Sequence, residues 1–457
     1  MPLQKNQVLT LRVERLSSDG SGVAHSPDGE AVFIPGAAPG DEARVRIVKD
    51  CKRYAFGILD EVLTPSPDRI PVDCAVAGPC GGCSLRHLDY AAELRAKQEN
   101  VADAFARIGG LDVPVLPIVG SPEVNRYRNK VQFPVGVDKS GKPCIGFYAG
   151  RTHRIVPCPD CRLQPGVLNE IGNALCAFFA EKGIQPYSEE TGRGLVRHIF
   201  LRRGAHSGQI MVCLVCTRAK LPSAEELCTR LKAQFAEITT ILLNVNAKNT
   251  NVILGTETHT LYGPGYIEDT LCGVPVQLGP LSFYQVNTLA AEQLYGIAAQ
   301  YAQLTPDDLL LDLYCGMGTI GLSMAAHCRE LIGVEIVPEA IESAKANAAR
   351  MGADVAAKSR FFCADAGQAA TRLAAEGLHP DIVMLDPPRK GCDEATLSAV
   401  VRMSPRRVVY VSCNPATAAR DAAWLEQNGY HAEKVQPVDL FPRTRHCEVV
   451  SCYTKTM

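Results

Sequence analysis

The residues best suited to chemistry lie near the C-terminus, where Cys413 ends the apolar run VVYVS and is followed by Asn414 and Pro415. Asparagine is a favoured N-cap and proline is favoured at the first helical position, so a helix is predicted to begin directly after the thiol. The dipole of such a helix favours a thiolate, which makes Cys413 a candidate nucleophile. A buried structural cysteine at a strand end is the alternative interpretation.

Glu448 is a candidate general base. It follows the run FPRTRHC and precedes the apolar run VVSCY. A carboxylate beside a buried strand can accept a proton from a bound substrate. An isolated glutamate is more often a surface residue, and that interpretation stays open from the sequence alone.

A glycine turn lies upstream, in the run LLLDLYCGMGTIG at 309–321. Its first five residues are apolar apart from one aspartate and predict a buried parallel strand. Gly316, Gly318 and Gly321 follow in G-x-G-x-x-G spacing, which lets the backbone approach a nucleotide closely. Glu335 ends the next apolar run, LIGVE, where a carboxylate can bind ribose hydroxyls. The alternative to a nucleotide pocket is an ordinary turn.

Two aspartates follow later strands of the same region. Asp386 begins the run DPPRKG, and proline cannot extend a central strand, so the chain must turn outward there. Asp365 follows its own predicted strand in the same way. It suits either a contact with a bound nucleotide or the N-cap of the next helix.

A cysteine cluster occupies the run CAVAGPCGGC, where Cys74, Cys80 and Cys83 have C-x5-C-x2-C spacing. Three thiolates this close can surround one metal centre if a fourth ligand joins them, and Cys158 and Cys161 are the candidates. Zinc ribbons usually pair two C-x2-C segments, so this pattern favours an iron–sulfur cluster over zinc. Unrelated core cysteines are the remaining alternative.

Composition describes a globular protein of several domains. The chain has 457 residues, 46% of them hydrophobic, and a net charge of −2, which gives no overall nucleic-acid signal. No run of about 18 apolar residues predicts a membrane span, and the N-terminus lacks a secretory signal. Nineteen cysteines without such a signal favour metal ligation, catalysis or packing over disulfides. Cys213 and Cys216 lie in an apolar run and are predicted to be core residues.

The elements that position these residues fall into three predicted domains. Residues 1–63 alternate with period two between short turns, which predicts a five-stranded OB-like barrel. Residues 64–282 mix strands and helices around the cysteine cluster and form a central α+β domain. Residues 283–457 alternate strand and helix regularly, with two late strands, and predict a doubly wound Rossmann-like α/β domain.

A basic and aromatic run, RYRNKVQFPVG, starts the predicted sheet of the central domain. Arg126, Arg128 and Lys130 can reach phosphates there, and Tyr127 or Phe133 can stack on bases. The same alternation is equally typical of an ordinary strand with one solvated face.

Together these segments resemble the TRAM-containing RNA (uracil-5-)-methyltransferases, in particular the iron–sulfur bacterial 23S rRNA enzymes. The resemblance covers nearly the whole chain. It is carried by GSGVA and FIPGA in the barrel and by CAVAGPCGGC, SFYQVN, DLYCGMGTIG, LDPPRKG, VSCNPATAARD and LFPRTRHCE. It implies methylation of carbon 5 of a uridine in RNA, with S-adenosyl-L-methionine (SAM) as the methyl donor.

The resemblance also implies roles for individual residues. Cys413 would be the nucleophile and Glu448 the base. A [4Fe–4S] cluster would be held by Cys74, Cys80, Cys83 and Cys161, because the family's fourth cysteine precedes a short segment that here reads RLQ. The SAM site would be lined by Gln285, Tyr314, Gly316, Thr319, Glu335, Asp365 and Asp386.

Other functions fit parts of the chain. A nicotinamide-dependent oxidoreductase would leave SCNP and FPRTRHCE unexplained, and an RNA-binding scaffold would leave Cys413 and Glu448 without a role. A tRNA uracil-54 methyltransferase and an RNA cytosine-5 methyltransferase are kept as alternatives to the 23S rRNA enzyme. We expect a cytoplasmic monomer that binds RNA and no membrane.

Overall fold

The chain forms two compact units. The computed structural model describes residues 3–150, 152–248 and 250–456. The first unit comprises Met1–Val124, Pro388–Gly391 and Tyr410–Thr456, and the second comprises Asn125–Pro387 and Cys392–Val409. The three predicted domain ranges stay a prediction.

The N-terminal strands close into a five-stranded barrel, which confirms the period-two prediction. In chain order the strands are β1 (Val8–Leu16), β2 (Ser21–His25), β3 (Ala31–Pro35), β4 (Glu42–Asp50) and β5 (Tyr54–Thr64). Around the barrel their order is β1-β2-β3-β5-β4. Alternate residues of β4, namely Ala43, Val45 and Ile47, are buried and pack with Leu11 and Val32 inside the barrel. Burial of this alternating face drives closure.

A long helix follows the cysteine run in the first unit. The helix α1 (Tyr90–Arg107) begins after Asp89, whose carboxylate accepts hydrogen bonds from the next backbone N–H groups. Its inner face is apolar except for Glu93 and Lys97, which are both buried. Charged residues this deeply buried must be paired, and their partners lie far away in the sequence.

The second unit contains a seven-stranded mixed sheet. Its elements in chain order are β6 (Lys130–Val137), β7 (Pro143–Tyr148), β8 (Ile155–Pro157), α2 (Gly166–Glu181), β9 (Val196–Arg203), β10 (Ile210–Cys216), α3 (Ala224–Gln234), β11 (Ile238–Val245) and β12 (Glu257–Tyr262). The strand order is β12-β11-β10-β9-β6-β7-β8. Cys213 and Cys216 are fully buried in β10, so their predicted packing role is confirmed.

The base-stacking interpretation of the RYRNKVQF run is wrong. Tyr127 and Phe133 are buried in the protein core, where no base can reach their rings. Phe133 belongs to the hydrophobic cluster beneath the sheet. Lys130 is itself half-buried, and desolvation by burial lowers the pKa of its amine to about 8. The aromatic residues of this run are therefore used for core packing and not for RNA contact.

The remaining elements form a hairpin and a second seven-stranded sheet with α/β order. They are β13 (Ile267–Leu271), β14 (Val274–Leu278), α4 (Thr288–Ala302), β15 (Leu309–Leu313), α5 (Thr319–Met324), β16 (Glu330–Glu335), α6 (Pro338–Met351), α7 (Ala353–Lys358), β17 (Ser359–Cys363), α8 (Ala366–Ala375), β18 (Ile382–Leu385), α9 (Glu394–Met403), β19 (Arg407–Ser412), α10 (Pro415–Gln427), β20 (Tyr430–Val438) and β21 (Glu448–Lys455). The sheet has the strand order β17-β16-β15-β18-β19-β21-β20.

This sheet confirms the predicted doubly wound architecture. β15 pairs in parallel with β16 and β18, β16 pairs in parallel with β17, and the late strands β20 and β21 are antiparallel. The short helix α7 was not predicted, because Gly352 ends α6 with a positive φ of 120° and the segment after it is brief. Across the described ranges, no helix is long and apolar enough to cross a membrane.

Candidate functional site

Four predicted cofactor residues lie at strand ends within the second unit. Tyr314 follows β15, Glu335 ends β16, Asp365 comes two residues after β17 and Asp386 follows β18. The parallel registers bring these four strand ends to one edge of the sheet. Ligands of open α/β sheets bind at this carboxyl edge.

The glycine turn orients a carboxylate at that edge. The N–H group of Gly316 donates to Oε2 of Glu335 at 3.1 Å, and Oε1 accepts from the N–H groups of Ile336 at 2.9 Å and Val337 at 3.0 Å. Gly316 has a φ of 55°, and a Cβ added there would meet nothing within 4 Å. Gly318, with a φ of 81°, caps α5. The turn thus leaves open space beside a fixed acceptor for ribose hydroxyls.

Two carboxyl groups beside the turn have pKa values near neutral pH because they are buried. Oδ2 of Asp312 accepts from the N–H group of Gly321 at 3.0 Å, while its buried Oδ1 has no hydrogen-bond partner among the residues that the structure describes. Burial raises the pKa of Asp312 to about 8 and that of Asp386 to about 7. A cationic ligand would favour their ionised forms, so this edge fits a sulfonium-bearing molecule such as SAM.

Tyr295 on α4 is a site residue that the sequence did not reveal. Its hydroxyl lies 3.3 Å from Oγ1 of Thr319, and it also hydrogen-bonds the side chain of Gln285. Burial and the charge of Asp386 both raise the pKa of Tyr295. Asn129 holds Gln285 from the other side by donating to its carbonyl at 2.7 Å. Tyr295 therefore brings three predicted cofactor residues together, and only its place on the buried face of α4 hinted at this.

Asp365 is the N-cap of α8, as one of its two interpretations predicted. Its Oδ1 accepts from the N–H group of Gln368 at 3.1 Å. An open groove beside it is lined by residues of α8 and the start of α9, including Asp393. Capping uses one oxygen, so a contact with a ligand is compatible with this geometry.

Cys413 lies between β19 and α10 in the first unit and is half-buried. Asn414 caps α10, because its Oδ1 accepts from the N–H group of Ala416 at 3.2 Å. The Nδ2 of the same asparagine donates to the carbonyl of Arg389 at 3.0 Å. The thiol therefore occupies the predicted place at a helix N-terminus, where the dipole favours its ionised form.

The loop 388–391 joins the start of α10 to the segment that precedes β21. Nη2 of Arg420 donates to the carbonyl of Lys390 at 3.1 Å. On the other side, Nη2 of Arg389 lies 3.2 Å from Nδ1 of His446. Two separate sequence motifs, PPRKG and FPRTRHCE, thus meet within the first unit.

Glu448 is the first residue of β21 and is only 7% exposed, so its interpretation as a surface glutamate is wrong. It pairs with Val438 in the antiparallel register of β20 and β21. β21 neighbours β19 in the sheet, and Oγ of Ser451 donates to the carbonyl of Tyr410 at 3.4 Å. A buried carboxylate therefore begins the strand beside the one that leads to Cys413.

The cysteine run before α1 contains three thiols, but they are not arranged as a metal site among the described residues. All nineteen cysteines are described, and none forms a disulfide. Cys74, Cys80 and Cys83 are half-buried, and the buried Arg86 hydrogen-bonds Cys83 and also Asp73, at 2.7 Å. No group of three or more His, Cys, Asp or Glu side chains in the described ranges is placed to hold a metal ion. Thiols are the usual ligands of iron–sulfur clusters, so the residue types fit such a cluster. The described side chains are not positioned around a common metal centre.

The candidate fourth ligand lies in a loop of the second unit that Arg126 holds by hydrogen bonds. Nη1 of Arg126 donates to the carbonyls of Cys161 at 2.8 Å and Gln164 at 3.0 Å. A hydrogen bond from Cys158, which is buried, lowers the pKa of Cys161 to about 6. Cys161 is half-buried and is the more accessible thiol of the pair.

An exposed aromatic residue lies on a loop before α4 that hydrogen bonds from a buried arginine support. Nη1 of the buried Arg202 donates to the carbonyl of Gly279 at 2.8 Å, and Nη2 donates to that of Ser282 at 2.7 Å. On the same loop, Leu281 is 64% exposed and Phe283 is 72% exposed. Phe283 lies two residues before Gln285, so an exposed aromatic ring is close in the chain to one predicted cofactor residue. The sequence contains this aromatic residue but gives no sign of its exposure.

Comparison with protein families gives the deciding observation. The model of the tRNA (Uracil-5-)-methyltransferase family matches residues 207–455, and the TRAM domain model matches residues 2–59. The chain belongs to the tRNA (uracil-5-)-methyltransferase family. The five-stranded barrel is accordingly its TRAM domain, and the C-terminal sheet is its SAM-dependent methyltransferase fold.

Relatives of this methyltransferase span the full chain. An uncharacterized RNA methyltransferase of Halalkalibacterium halodurans is 43% identical, with 98% of this chain and 97% of that protein covered. One from Oceanobacillus iheyensis is 41% identical over the same shares. The crystal structure of Pyrococcus abyssi tRNA (uracil-54, C5)-methyltransferase with S-adenosyl-L-homocysteine is similar at a TM-score of 0.78 and 26% identity, with 98% of this chain and 100% of that chain covered. The protein is therefore a SAM-dependent RNA methyltransferase.

Proposed function

We propose that this methyltransferase modifies carbon 5 of a uridine in 23S rRNA through a covalent bond between Cys413 and carbon 6 of the uracil ring. The observation that carries the proposal is the position of Cys413 at the N-terminus of α10, next to the strand that begins with the buried Glu448. Membership of a uracil-5-methyltransferase family supports the reaction class.

Cys413 acts first as a nucleophile. Carbon 5 of uracil is a poor nucleophile in the unmodified ring. The thiolate adds to carbon 6, and the electron pair of the carbon 5–carbon 6 double bond moves to give an enolate. The enolate makes carbon 5 reactive enough to take a methyl group. SAM, when bound, supplies that methyl group from its sulfonium and leaves as S-adenosyl-L-homocysteine.

Glu448 acts last as the base. After methyl transfer, carbon 5 carries both the new methyl group and its original proton. The carboxylate removes that proton, the enolate forms again, and the carbon–sulfur bond to Cys413 breaks. The double bond returns and the thiolate is released for another cycle. Its position at the start of β21, beside the strand that leads to Cys413, supports this role.

Residues at the carboxyl edge of the second unit hold the cofactor in this proposal. Glu335 accepts the ribose hydroxyls, with Gly316 leaving room for the backbone approach. Asp386 and Gln285 are neighbours of Tyr295, and the carboxylate of Asp386 would stabilise the positive charge of SAM. Tyr314, Thr319 and Asp365 complete the lining.

Two features support RNA binding in this proposal, namely the barrel surface of the first unit and the exposed ring of Phe283 in the second unit. An exposed aromatic side chain on a supported loop can stack on a base that has left its helix, which the reaction requires. TRAM barrels of the OB type bind nucleic acid through their surface. We place the enzyme in the cytoplasm, where rRNA is modified, and keep a monomer as the expected state.

A second candidate substrate is uridine 54 of tRNA. The Pyrococcus abyssi structure that matches this chain over nearly its whole length is a tRNA (uracil-54, C5)-methyltransferase. The N-terminal barrel together with the cysteine run favours rRNA over tRNA. Both substrates use the same chemistry, so the choice concerns recognition alone.

The cysteine run holds a [4Fe–4S] cluster in this proposal, with Cys74, Cys80, Cys83 and Cys161 as ligands. Their spacing, their shared thiol chemistry and the low pKa of Cys161 support it. Arg86 beside Cys83 supplies positive charge next to an anionic centre. The cluster organises the chain around it, since no step of the methyl transfer moves an electron.

Mass mapping of RNA from a strain that lacks this protein tests the substrate. Loss of a single 5-methyluridine from 23S rRNA, with tRNA unchanged, is the expected result. Loss of 5-methyluridine at position 54 of tRNA instead would make the second candidate correct. If every 5-methyluridine persists in both RNAs, the proposed reaction is wrong.

A further inference from the structure

Four charged side chains form a buried network in the first unit, and the proposed reaction uses none of them. Glu93 and Lys97 lie on α1, and Asp439 and Arg443 lie on the loop between β20 and β21. Nζ of Lys97 donates to Oε1 of Glu93 at 2.7 Å and to Oδ1 of Asp439 at 2.8 Å. Two cations thus balance two carboxylates, which is what burial of charge requires.

The network fastens the start of this loop to α1. Besides its contact with Lys97, Asp439 accepts through Oδ2 from the hydroxyl of Tyr90 at 3.0 Å. Lys97 also donates to the carbonyl of Phe441 at 3.2 Å. Although burial alone would lower it, the neighbouring carboxylates, Asp439 foremost, raise the pKa of Lys97, so the amine stays charged.

The network also fastens the middle of the loop. The N–H group of Arg443 donates to Oε1 of Glu93 at 2.7 Å, and Nη1 of Arg443 donates to the carbonyl of Leu88 at 2.8 Å. Arg443 has a φ of 68°, a left-handed conformation that a non-glycine residue keeps only when its surroundings impose it. Glu448 begins β21 five residues later.

We propose that Lys97 is a positioning residue, which acts through Asp439 to hold Glu448 where it removes the carbon 5 proton. The inference rests on the proposed role of Glu448 as the base. A base must come within hydrogen-bond reach of the proton, and a misplacement of 1 Å can cost about 100-fold in rate. An irregular loop keeps such geometry only if it is anchored, and the contacts to α1 are among its anchors.

Kinetics separate positioning from mere stability. Thiol addition and methyl transfer precede proton removal and do not use Glu448, so a displaced base stalls only the final elimination. Lys97→Met and Asp439→Asn should each lower turnover about 10- to 100-fold, with an unchanged KM for SAM and a covalent protein–RNA species that survives a denaturing gel. Tyr90→Phe, which removes one hydrogen bond to Asp439 and keeps its ion pair with Lys97, should have a smaller effect of the same kind.

An ion pair in the second unit, between the buried Asp308 and the exposed Arg406, provides the control. Nη1 of Arg406 contacts Oδ1 of Asp308 at 2.5 Å in the second unit. Arg406→Met should lower the melting temperature without accumulating the covalent species. In the background of Glu448→Gln, Lys97→Met should cause no further slowing of elimination, because two residues that act in series are not additive.

The outcomes are distinct. If Glu448→Gln traps the covalent species while Lys97→Met, Asp439→Asn and Tyr90→Phe only lose stability, the positioning role is overturned and the base role stands. If Glu448→Gln releases RNA as fast as the unaltered enzyme, the base assignment and this inference both fail. Should Lys97→Met not fold, the milder Asp439→Asn and Tyr90→Phe decide the question.

Discussion

The hydroxyl of Ser451 donates a hydrogen bond to the backbone carbonyl of Tyr410 at 3.4 Å, and the bond joins β21 to its neighbour β19. Tyr410 lies three residues before Cys413, and Ser451 lies three residues after Glu448. The strand that leads to Cys413 and the strand that begins with Glu448 are therefore joined directly, three residues from each of these side chains. The proposed reaction needs the thiol and the carboxylate at one substrate ring, and this bond links the two strands that carry them.

Substitutions at these two positions should therefore fail in different ways. Cys413→Ala should abolish both turnover and the covalent RNA adduct, because no enolate forms without the thiolate. Glu448→Gln should still add and methylate but stall before elimination, with turnover reduced about 10²- to 10⁴-fold. Denaturing gel electrophoresis with labelled RNA should show the adduct for Glu448→Gln and none for Cys413→Ala.

A 5-fluorouridine substrate provides the control for this contrast. Fluorine at carbon 5 cannot be removed as a proton, so the unaltered enzyme should also be trapped. Peptide mapping of the trapped species should locate RNA on Cys413. An adduct on another cysteine, or methylation by Cys413→Ala, would mean that the thiol is structural.

The affinity for SAM should rise with pH. Burial raises the pKa of Asp386 to about 7, so its carboxyl group is neutral below that pH and ionised above it. A bound sulfonium favours the ionised form, and SAM should bind up to about 10-fold more tightly at pH 8 than at pH 6, with a proton released on binding below pH 7. Isothermal titration calorimetry in buffers of different ionisation enthalpy measures both quantities.

The raised pKa of Asp386 makes the stability of the ligand-free protein fall with pH, whereas it makes the affinity for SAM rise. Between its usual value of 3.8 and about 7, Asp386 is protonated in the folded state and ionised in the unfolded state. The folded state binds the extra proton, so the free energy of unfolding falls as pH rises through this window. Asp386→Asn should flatten both dependences, apart from the part due to Asp312, which titrates higher. An affinity that falls with pH would contradict the assignment.

Local sequence patterns predicted most of the strands and helices because each carries its own signal. The apolar run at 309–313 is β15 residue for residue, and Asn414 with Pro415 correctly marked the start of α10. Patterns failed where a partner lies far away in the sequence. No local pattern around Lys97 predicts its contact with Asp439, which is 342 residues away in the sequence.

Burial was the other quantity that the sequence did not contain. Phe133 lies in the basic and aromatic run at 126–136 and Phe283 lies in SFYQVN, yet the first is fully buried and the second is mostly exposed. The difference arises from the sheet that covers Phe133 and from Arg202, which supports the loop of Phe283 from below. Only the assembled fold distinguishes them.

Phe283 should contribute to RNA binding through its ring. Stacking on a base is worth about 1–3 kcal/mol, so Phe283→Ala should raise the KM for RNA about 5- to 150-fold. Phe283→Tyr should keep most of the affinity. Leu281→Ala is the matched control, because Leu281 is similarly exposed on the same loop but has no aromatic face. Equal effects of the two alanine substitutions on the KM would argue against stacking.

The fourth cluster ligand can be settled by a pair of substitutions three residues apart. Cys161 is half-buried with a pKa of about 6, so it is a ready thiolate, whereas Cys158 is buried and donates its hydrogen bond to Cys161. Iron and acid-labile sulfide should therefore each approach four per chain in anaerobically purified protein and in Cys158→Ser, and fall sharply in Cys161→Ser and Cys74→Ser. The visible absorbance of the protein should follow the same order. Because the reaction moves no electron, chemical reduction of the cluster should leave methyl transfer unchanged. Zinc in place of iron, or loss of the cluster from Cys158→Ser but not from Cys161→Ser, would require a different metal or a different ligand.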